Sequence, residues 1–153
     1  MPSVRRPIAF WIIVLFLLLS ILIMLIGQTM AVFHYDLAVR LGLQESLQQV
    51  GEFGVQVNRA FGASDTVVYI PLMAASVIGL LLKRRWSLVT TAAALGVSAY
   101  WSVTATFMLA FLPGVSGYSL APGPMYWFFV VAYIVFGAGG LFYLIFRGDA
   151  LLR

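Results

Sequence analysis

The chain has 153 residues, enough for one domain, of which 63% are hydrophobic and only 9% charged. Soluble domains average about 45–50% and about 25%, so the composition predicts a single domain (1–153) that faces lipid rather than water. The net charge of +4 does not indicate a nucleic-acid partner, because the basic residues stand in short clusters beside apolar runs. The absence of cysteine and the single histidine, His34, exclude disulfides and Cys- or His-only metal sites within one chain. We expect no cofactor.

Four apolar stretches are long enough to cross the hydrocarbon core of a bilayer, which takes about 20 helical residues. They cover residues 7–32, 66–82, 86–112 and 124–146. The apolar part of the first, residues 8–26, is longer than the core of about 7–15 residues in a signal peptide, so we expect a retained anchor. The stretches predict an all-α fold, an integral membrane four-helix bundle.

Basic residues are distributed unevenly between the two sides of such a bundle. Cytoplasmic loops of membrane proteins are enriched in Lys and Arg. One side of the four-span arrangement carries Arg5, Arg6, Lys83, Arg84, Arg85, Arg147 and Arg153. The other side carries only Arg40 and Arg59. This bias predicts cytoplasmic N- and C-termini in a plasma membrane, of the kind that forms the inner membrane of bacteria.

The segment between the first two spans, residues 33–65, has helical periodicity of its own. An additional helix is predicted over residues 47–61, with Ser46 and Gln49 as a capping box and Gly62 as the C-cap. Ser64 or Asp65 would then cap the second span. The apolar face of this helix comprises Leu43, Leu47, Val50, Gly54, Val57 and Phe61, and the polar face Glu45, Gln48, Glu52, Gln56 and Arg59. We therefore expect an amphipathic helix that lies on the bundle or in the headgroup layer.

Polar and aromatic residues near the outer ends of the spans are candidates for a ligand pocket. The tentative ligand-binding set is Gln28, His34, Asp36, Asp65, Tyr69, Tyr100 and Trp101. His34 beside Asp36 can titrate in the physiological range, Tyr133 also lies deep in its span, and a kink at Pro71 would open space in the outer half. The alternative is that these residues only anchor helix ends and pack the core.

Small residues recur every fourth position in the third span. The proposed helix-packing set is Ala94, Ser98, Ser102 and Thr106, with Ala75 and Gly79 in the second span. Such faces let helix backbones approach closely and let hydroxyl groups bond across the contact. Residues 137–140, Gly-Ala-Gly-Gly, have the same character in the fourth span. We interpret the pattern as packing, within the bundle or between copies, rather than as a polar conduction path.

No span has an ionisable residue at its centre, which argues against a proton-coupled transporter or a charge-lined pore. No catalytic or nucleotide-binding motif is present either. The favoured hypothesis is a non-enzymatic small subunit or accessory factor, with the lipid bilayer and a second copy or larger membrane complex as partners. The alternative is a binder or carrier of a small apolar or lipid-like ligand. A membrane-embedded enzyme using His34 with Asp36, Glu52 or Asp65 is the least favoured.

Overall fold

The computed structural model describes residues 6–153, and all regular structure in this part of the chain is helical. Four of its helices are long and apolar enough to cross a membrane. The expected all-helical fold with four candidate spans is therefore confirmed. Residues 1–5, which include Arg5 of the first basic cluster, lie outside the described part.

The helices follow one another with short connections, except between α4 and α5. They are α1 (Ile8–Phe33), α2 (Tyr35–Arg40), α3 (Leu47–Leu81), α4 (Trp86–Phe111) and α5 (Pro124–Leu152). The last turns of α5, Gly148–Leu152, tighten into a 3-10 helix. α1 and α4 begin and end within one residue of the apolar stretches in the sequence, because apolar composition and helix length are both local properties.

The second span and the predicted outer helix form one element. In α3 the backbone leaves helical geometry only at Gly51, where φ is 68° and ψ is 175°. The predicted C-cap at Gly62 and the predicted N-cap at Ser64 or Asp65 are wrong, since all three lie inside the helix. A Cβ at Gly62 would lie 2.5 Å from the backbone oxygen of Gln28. The glycine therefore permits α3 to cross close to α1 rather than ending a helix.

The four long helices contact one another in the order α1, α3, α4, α5. α4 packs against both of its neighbours, whereas α1 rests mainly on α3 and touches α5 only sparsely. Large buried side chains fill the interior: Phe10, Leu17, Met24, Met73, Leu80 and Leu95. Many other large apolar side chains are exposed on every long helix, far more than a protein surrounded by water tolerates.

The N-terminal end of α1 and the turn between α3 and α4 lie at the same end of the bundle. The Arg6 guanidinium donates a hydrogen bond to the backbone oxygen of Leu81 at 2.8 Å. We call this end, which also carries residues 83–85, the basic end. The opposite end, which carries α2, is called the loop end.

At the loop end, the start of α3 is tied to the long connection between α4 and α5. The predicted capping box is present, with the Ser46 N–H donating to Oε1 of Gln49 at 2.8 Å. The Ser119 N–H of the connection donates to the Gln49 backbone oxygen at 2.8 Å. A Cβ at Gly51 would meet the backbone oxygen of Gly117 at 3.3 Å. The left-handed turn at Gly51 therefore lets the connection lie directly over the start of α3.

Candidate functional site: a buried polar cluster and an open groove

The residues proposed to line a pocket occupy different parts of the fold. His34 and Asp36 are exposed at the loop end, whereas Asp65 and Tyr69 are buried inside the bundle. Tyr100 is 74% exposed on the outside of α4, so it does not line an interior pocket. The structure thus places the residues of this set in separate polar regions, one on the surface and one in the interior.

The surface region is an open depression at the loop end. His34, Asp36, Arg40 and Arg59 line it together with neighbouring apolar residues, and its volume is about 560 Å3. All four side chains are exposed. The Arg59 guanidinium also donates to the Val32 backbone oxygen at 3.1 Å, which fastens α3 to the end of α1. The depression is thus an open surface feature and lacks the enclosure of a typical small-molecule pocket.

A hydrogen-bonded network beside this depression holds α2 against α3. The Asn58 amide donates to the Tyr35 hydroxyl at 3.0 Å and to the Glu45 carboxylate at 2.7 Å, while the Tyr35 hydroxyl donates to the Glu45 backbone oxygen at 2.8 Å. Burial raises the pKa of Tyr35; the Asn58 bond opposes this shift and the Glu45 charge adds to it. Nearby, the Gln44 amide donates to Oε1 of Gln28 at 3.3 Å. Gln28 therefore has a structural partner within the chain.

The interior region is a cluster of polar side chains from all four long helices. Tyr69 of α3 shares a 2.5 Å hydrogen bond with the Ser98 hydroxyl of α4. Asp65 lies one turn along α3, close enough to Tyr69 and to Tyr133 of α5 to interact with both electrostatically. Ser20 of α1 lies beside Tyr133. All five side chains are at least nine-tenths buried.

Two polar atoms of this cluster have no hydrogen-bond partner among residues 6–153. They are Oδ2 of Asp65 and the hydroxyl oxygen of Tyr133. Buried polar atoms are nearly always paired in folded proteins, because an unpaired one loses its hydration without compensation. The ring of Tyr133 is held in place by Phe16 and Trp101, with centroid distances of 5.3 and 5.9 Å. Its hydroxyl position is thus fixed by aromatic packing.

α1 and α3 each contain a π-helical turn on the side of the cluster nearer the loop end. In α1 the turn covers Leu25–Thr29, and in α3 it covers Asp65–Tyr69. The turns touch each other, since the Thr29 and Thr66 hydroxyls are 2.9 Å apart. The turn in α3 ends two residues before Pro71, which lacks an N–H and so leaves a gap in the helical hydrogen bonds. Single π turns of this kind are often found at functional sites.

The small residues proposed for helix packing lie mostly inside the bundle. Those fully buried are Gly79, Ala94, Ser98 and Ser102, and those partly buried are Ala75 and Thr106. The hydroxyls of Ser102 and Thr106 donate to backbone oxygens of their own helix at 2.9 Å. Of the three hydroxyl residues in this set, only Ser98 bonds to another helix, through Tyr69. The small-residue face of α4 therefore contributes mainly close packing and little hydrogen bonding between helices.

The glycines of α5 face two different environments. A Cβ at Gly137 would lie 2.8 Å from the backbone nitrogen of Ala99, so α5 and α4 are in backbone contact there. A Cβ at Gly139 would have no heavy atom within 4 Å, apart from its chain neighbours and the backbone of its own helix. Gly139 faces a groove of about 200 Å3 between α1 and α5. The groove is lined by Ala9, Ile12, Ile13, Phe16, Val135, Phe136, Gly139, Gly140 and Tyr143.

Some residues of these regions were not found from the sequence. Ser20 is the single hydroxyl-bearing residue in the apolar run 8–26, and a lone polar residue in such a run is a signal that could have drawn attention to it. Asn58 gave no comparable signal, because its partners Tyr35 and Glu45 belong to a different part of the chain.

Comparison with protein-family models, with curated proteins and with solved structures found no match for this chain.

Proposed function

We propose that this protein is a non-enzymatic small subunit or accessory factor of a membrane assembly. It would receive a transmembrane helix of another chain, or of a second copy, in the groove between α1 and α5. The observation that carries the proposal is the position of Gly139, a small residue that faces this open groove while Gly137 faces the interior.

The proposal places all four long helices across a bilayer. A helix of 26 residues, the length of α1 and of α4, is about 39 Å long at ~1.5 Å per residue, enough for a core of ~30 Å. The basic end of the bundle, with Arg6 and residues 83–85, would face the cytoplasm by the positive-inside rule. The membrane would be a bacterial-type plasma membrane, with both termini on its inner side.

The outer part of α3 would then lie in the headgroup layer as the amphipathic segment expected from the sequence. At 35 residues, α3 is too long for the hydrocarbon core alone, so its first turns extend beyond it. Phe53 in these turns is 84% exposed and Phe61 is 49% exposed. Aromatic side chains at such positions are stabilised at the membrane interface. Glu52 and Gln56 are exposed on the same turns and would face water.

The groove fits a helix better than it fits a lipid chain. Helices associate in membranes where small residues let two backbones approach closely, and lipid tails have no need of such residues. Ala9, Gly139 and Gly140 line the groove. α1 touches α5 only sparsely, so this is the least tightly closed contact between neighbouring long helices. A helix from another chain would complete the packing.

Native mass spectrometry of the protein gently extracted from its own membrane tests the proposal. We expect a co-purifying protein chain or a discrete homo-oligomer. A monomer carrying a discrete small-molecule or lipid mass would contradict it. That result would instead favour the alternative, a binder of a lipid-like ligand, for which the depression with Arg40 and Arg59 next to the exposed Phe33 is the best candidate site.

A pair of variants links the assembly to the groove. Gly139→Leu should abolish the complex, because the new side chain occupies the space of the incoming helix. It should leave the isolated chain folded, since a Cβ at this position meets nothing within 4 Å. Ala138→Leu is the matched control at the same depth of α5, exposed but outside the groove. If both variants keep the complex, or both lose it, the groove is not the docking surface.

A further inference from the structure

The interior cluster around Asp65 has a property that helix packing does not explain. Asp65 is only 8% exposed, and its Oδ2 accepts no hydrogen bond from any group among residues 6–153. The nearby Tyr133 hydroxyl, 3% exposed as a residue, makes no hydrogen bond of normal geometry, and the Ser20 hydroxyl lies beside it. Two unpartnered polar atoms thus belong to one buried cluster, and one of them is part of a carboxyl group.

Among residues 6–153, no basic side chain lies close enough to Asp65 to balance the charge of this carboxyl group. Within the described part of the chain, the titratable groups that interact with Asp65 are Tyr69 of its own helix and Tyr133 of α5. α1 and α4 contribute the uncharged hydroxyls of Ser20 and Ser98 to the same cluster. A buried carboxylate without a positive partner is strongly disfavoured, so such groups either take up a proton or bind a cation.

We propose that Asp65, together with the hydroxyls of Tyr133 and Ser20, forms a binding site for one monovalent cation inside the bundle. The single negative charge of the Asp65 carboxylate is neutralised by one monovalent ion. A divalent ion would leave an unbalanced positive charge in an apolar interior. Carboxylate and hydroxyl oxygens are hard ligands. The two ions with this chemistry are a proton on the carboxyl group and a sodium ion held by its oxygens.

The backbone around the site has the adaptable geometry that such sites use. Asp65 is the first residue of the π turn in α3, and that turn contacts the π turn of α1. The Ile70 N–H bonds to the Asp65 backbone oxygen, five residues back, and Pro71 offers no N–H at the next position. Interrupted helices near intramembrane ion sites present backbone carbonyls that regular helices keep paired.

Infrared spectroscopy tests the proposal on the folded, full-length chain without changing Asp65. The chain has three aspartates, Asp36, Asp65 and Asp149, and the first and last are exposed. The variant with Asp36→Asn and Asp149→Asn, labelled with carboxyl-13C aspartate, reports the state of Asp65 alone. It is measured in lipid nanodiscs at neutral pH, in sodium-free choline buffer and after addition of sodium chloride.

A labelled carboxylic-acid C=O band in sodium-free neutral buffer is expected if the cation is a proton, and its loss on addition of sodium would show that the two ions compete. A carboxylate band combined with a rise in thermal midpoint on addition of sodium assigns the site to sodium. A carboxylate band with no effect of sodium on the thermal midpoint would overturn the proposal, because Asp65 would then be charged without a bound cation.

Substitution provides an independent measurement of the same site. In sodium-free buffer the thermal midpoint of the native chain should fall by at least ~3 °C between mildly acidic and alkaline conditions, because the proton is withdrawn from a buried carboxyl group. Asp65→Asn, neutral and of the same shape, should remove this dependence on pH and on sodium. Asp36→Asn, at an exposed position, should retain it. If the thermal midpoint depends equally on pH and sodium in the native chain and in Asp65→Asn, a cation site at Asp65 is contradicted.

Discussion

The two sides of α5 show how one residue type serves opposite purposes in a helical bundle. Toward α4, Gly137 brings two backbones into contact, with its Cβ position 2.8 Å from the Ala99 nitrogen and 3.0 Å from the Leu95 oxygen. Toward α1, Gly139 faces a groove in which an added Cβ would meet nothing within 4 Å. The first side is already closed within the chain and the second is open. A small residue in a membrane helix therefore marks a contact surface without saying whether the partner is in the same chain.

The largest expected effect comes from filling the closed side. Gly137→Leu places a side chain against backbone atoms that cannot move aside, so it should lower the free energy of unfolding by more than about 3 kcal/mol or prevent folding. Gly139→Leu should change it by no more than about 0.5 kcal/mol in the isolated chain. Unfolding in mixed detergent micelles measures both. Similar values for the two variants would remove the distinction between the sides.

An intermediate effect is expected on the face of α4 that packs in the interior. Ser102 is 0% exposed, and Ser102→Leu overfills a close-packed region, which costs about 1–3 kcal/mol. Val103 is 44% exposed on the same helix, and Val103→Leu should be nearly neutral. The measurement is again the free energy of unfolding. If Ser102→Leu retains the stability of the native chain, the small-residue face of α4 is not a tight contact.

The smallest effect concerns one hydrogen bond between α3 and α4. Tyr69→Phe removes the partner of the Ser98 hydroxyl but leaves that hydroxyl its bond to the Ala94 backbone oxygen at 3.1 Å. The expected loss is therefore only about 1 kcal/mol. Tyr100→Phe, at a 74% exposed position, should cost nothing measurable. A loss for Tyr69→Phe as large as that for Ser102→Leu would mean that bonding, rather than close packing, holds these helices together.

The N-terminal half of α3 shows where local sequence signals mislead. A glycine after a helical run and a serine before an apolar one are the usual signs of a helix end and a helix start. Gly62 and Ser64 supply both signs, yet the helix continues through them. The reason is tertiary: α1 approaches within contact of Gly62 at the backbone of Gln28, a contact between residues far apart in the chain. A glycine selected for close approach and a glycine selected for a cap look identical in the sequence.

The candidate sites were predictable only in part, for the same reason. Asp65 and Tyr69 stood out as polar residues at the edge of a span, and they belong to the interior cluster. Their partners come from three other helices, Ser20, Ser98 and Tyr133. Which faces of four helices meet depends on side-chain packing among all of them. Hydrophobic periodicity cannot show this, because in lipid both the inward and the outward face are apolar.

By itself, the sequence determined that the chain is all-helical and has four helices long and apolar enough to cross a membrane, since these properties follow from the length and composition of each stretch. It also determined the capping box at Ser46, a bond between residues three apart. Only the tertiary structure decided that the predicted outer helix and the second candidate span are one element, that Asp65 is enclosed with Tyr133, and that Gly139 faces a groove. Each of these depends on how far apart two helices lie and which sides they turn to each other, and those quantities are set by packing across the whole bundle.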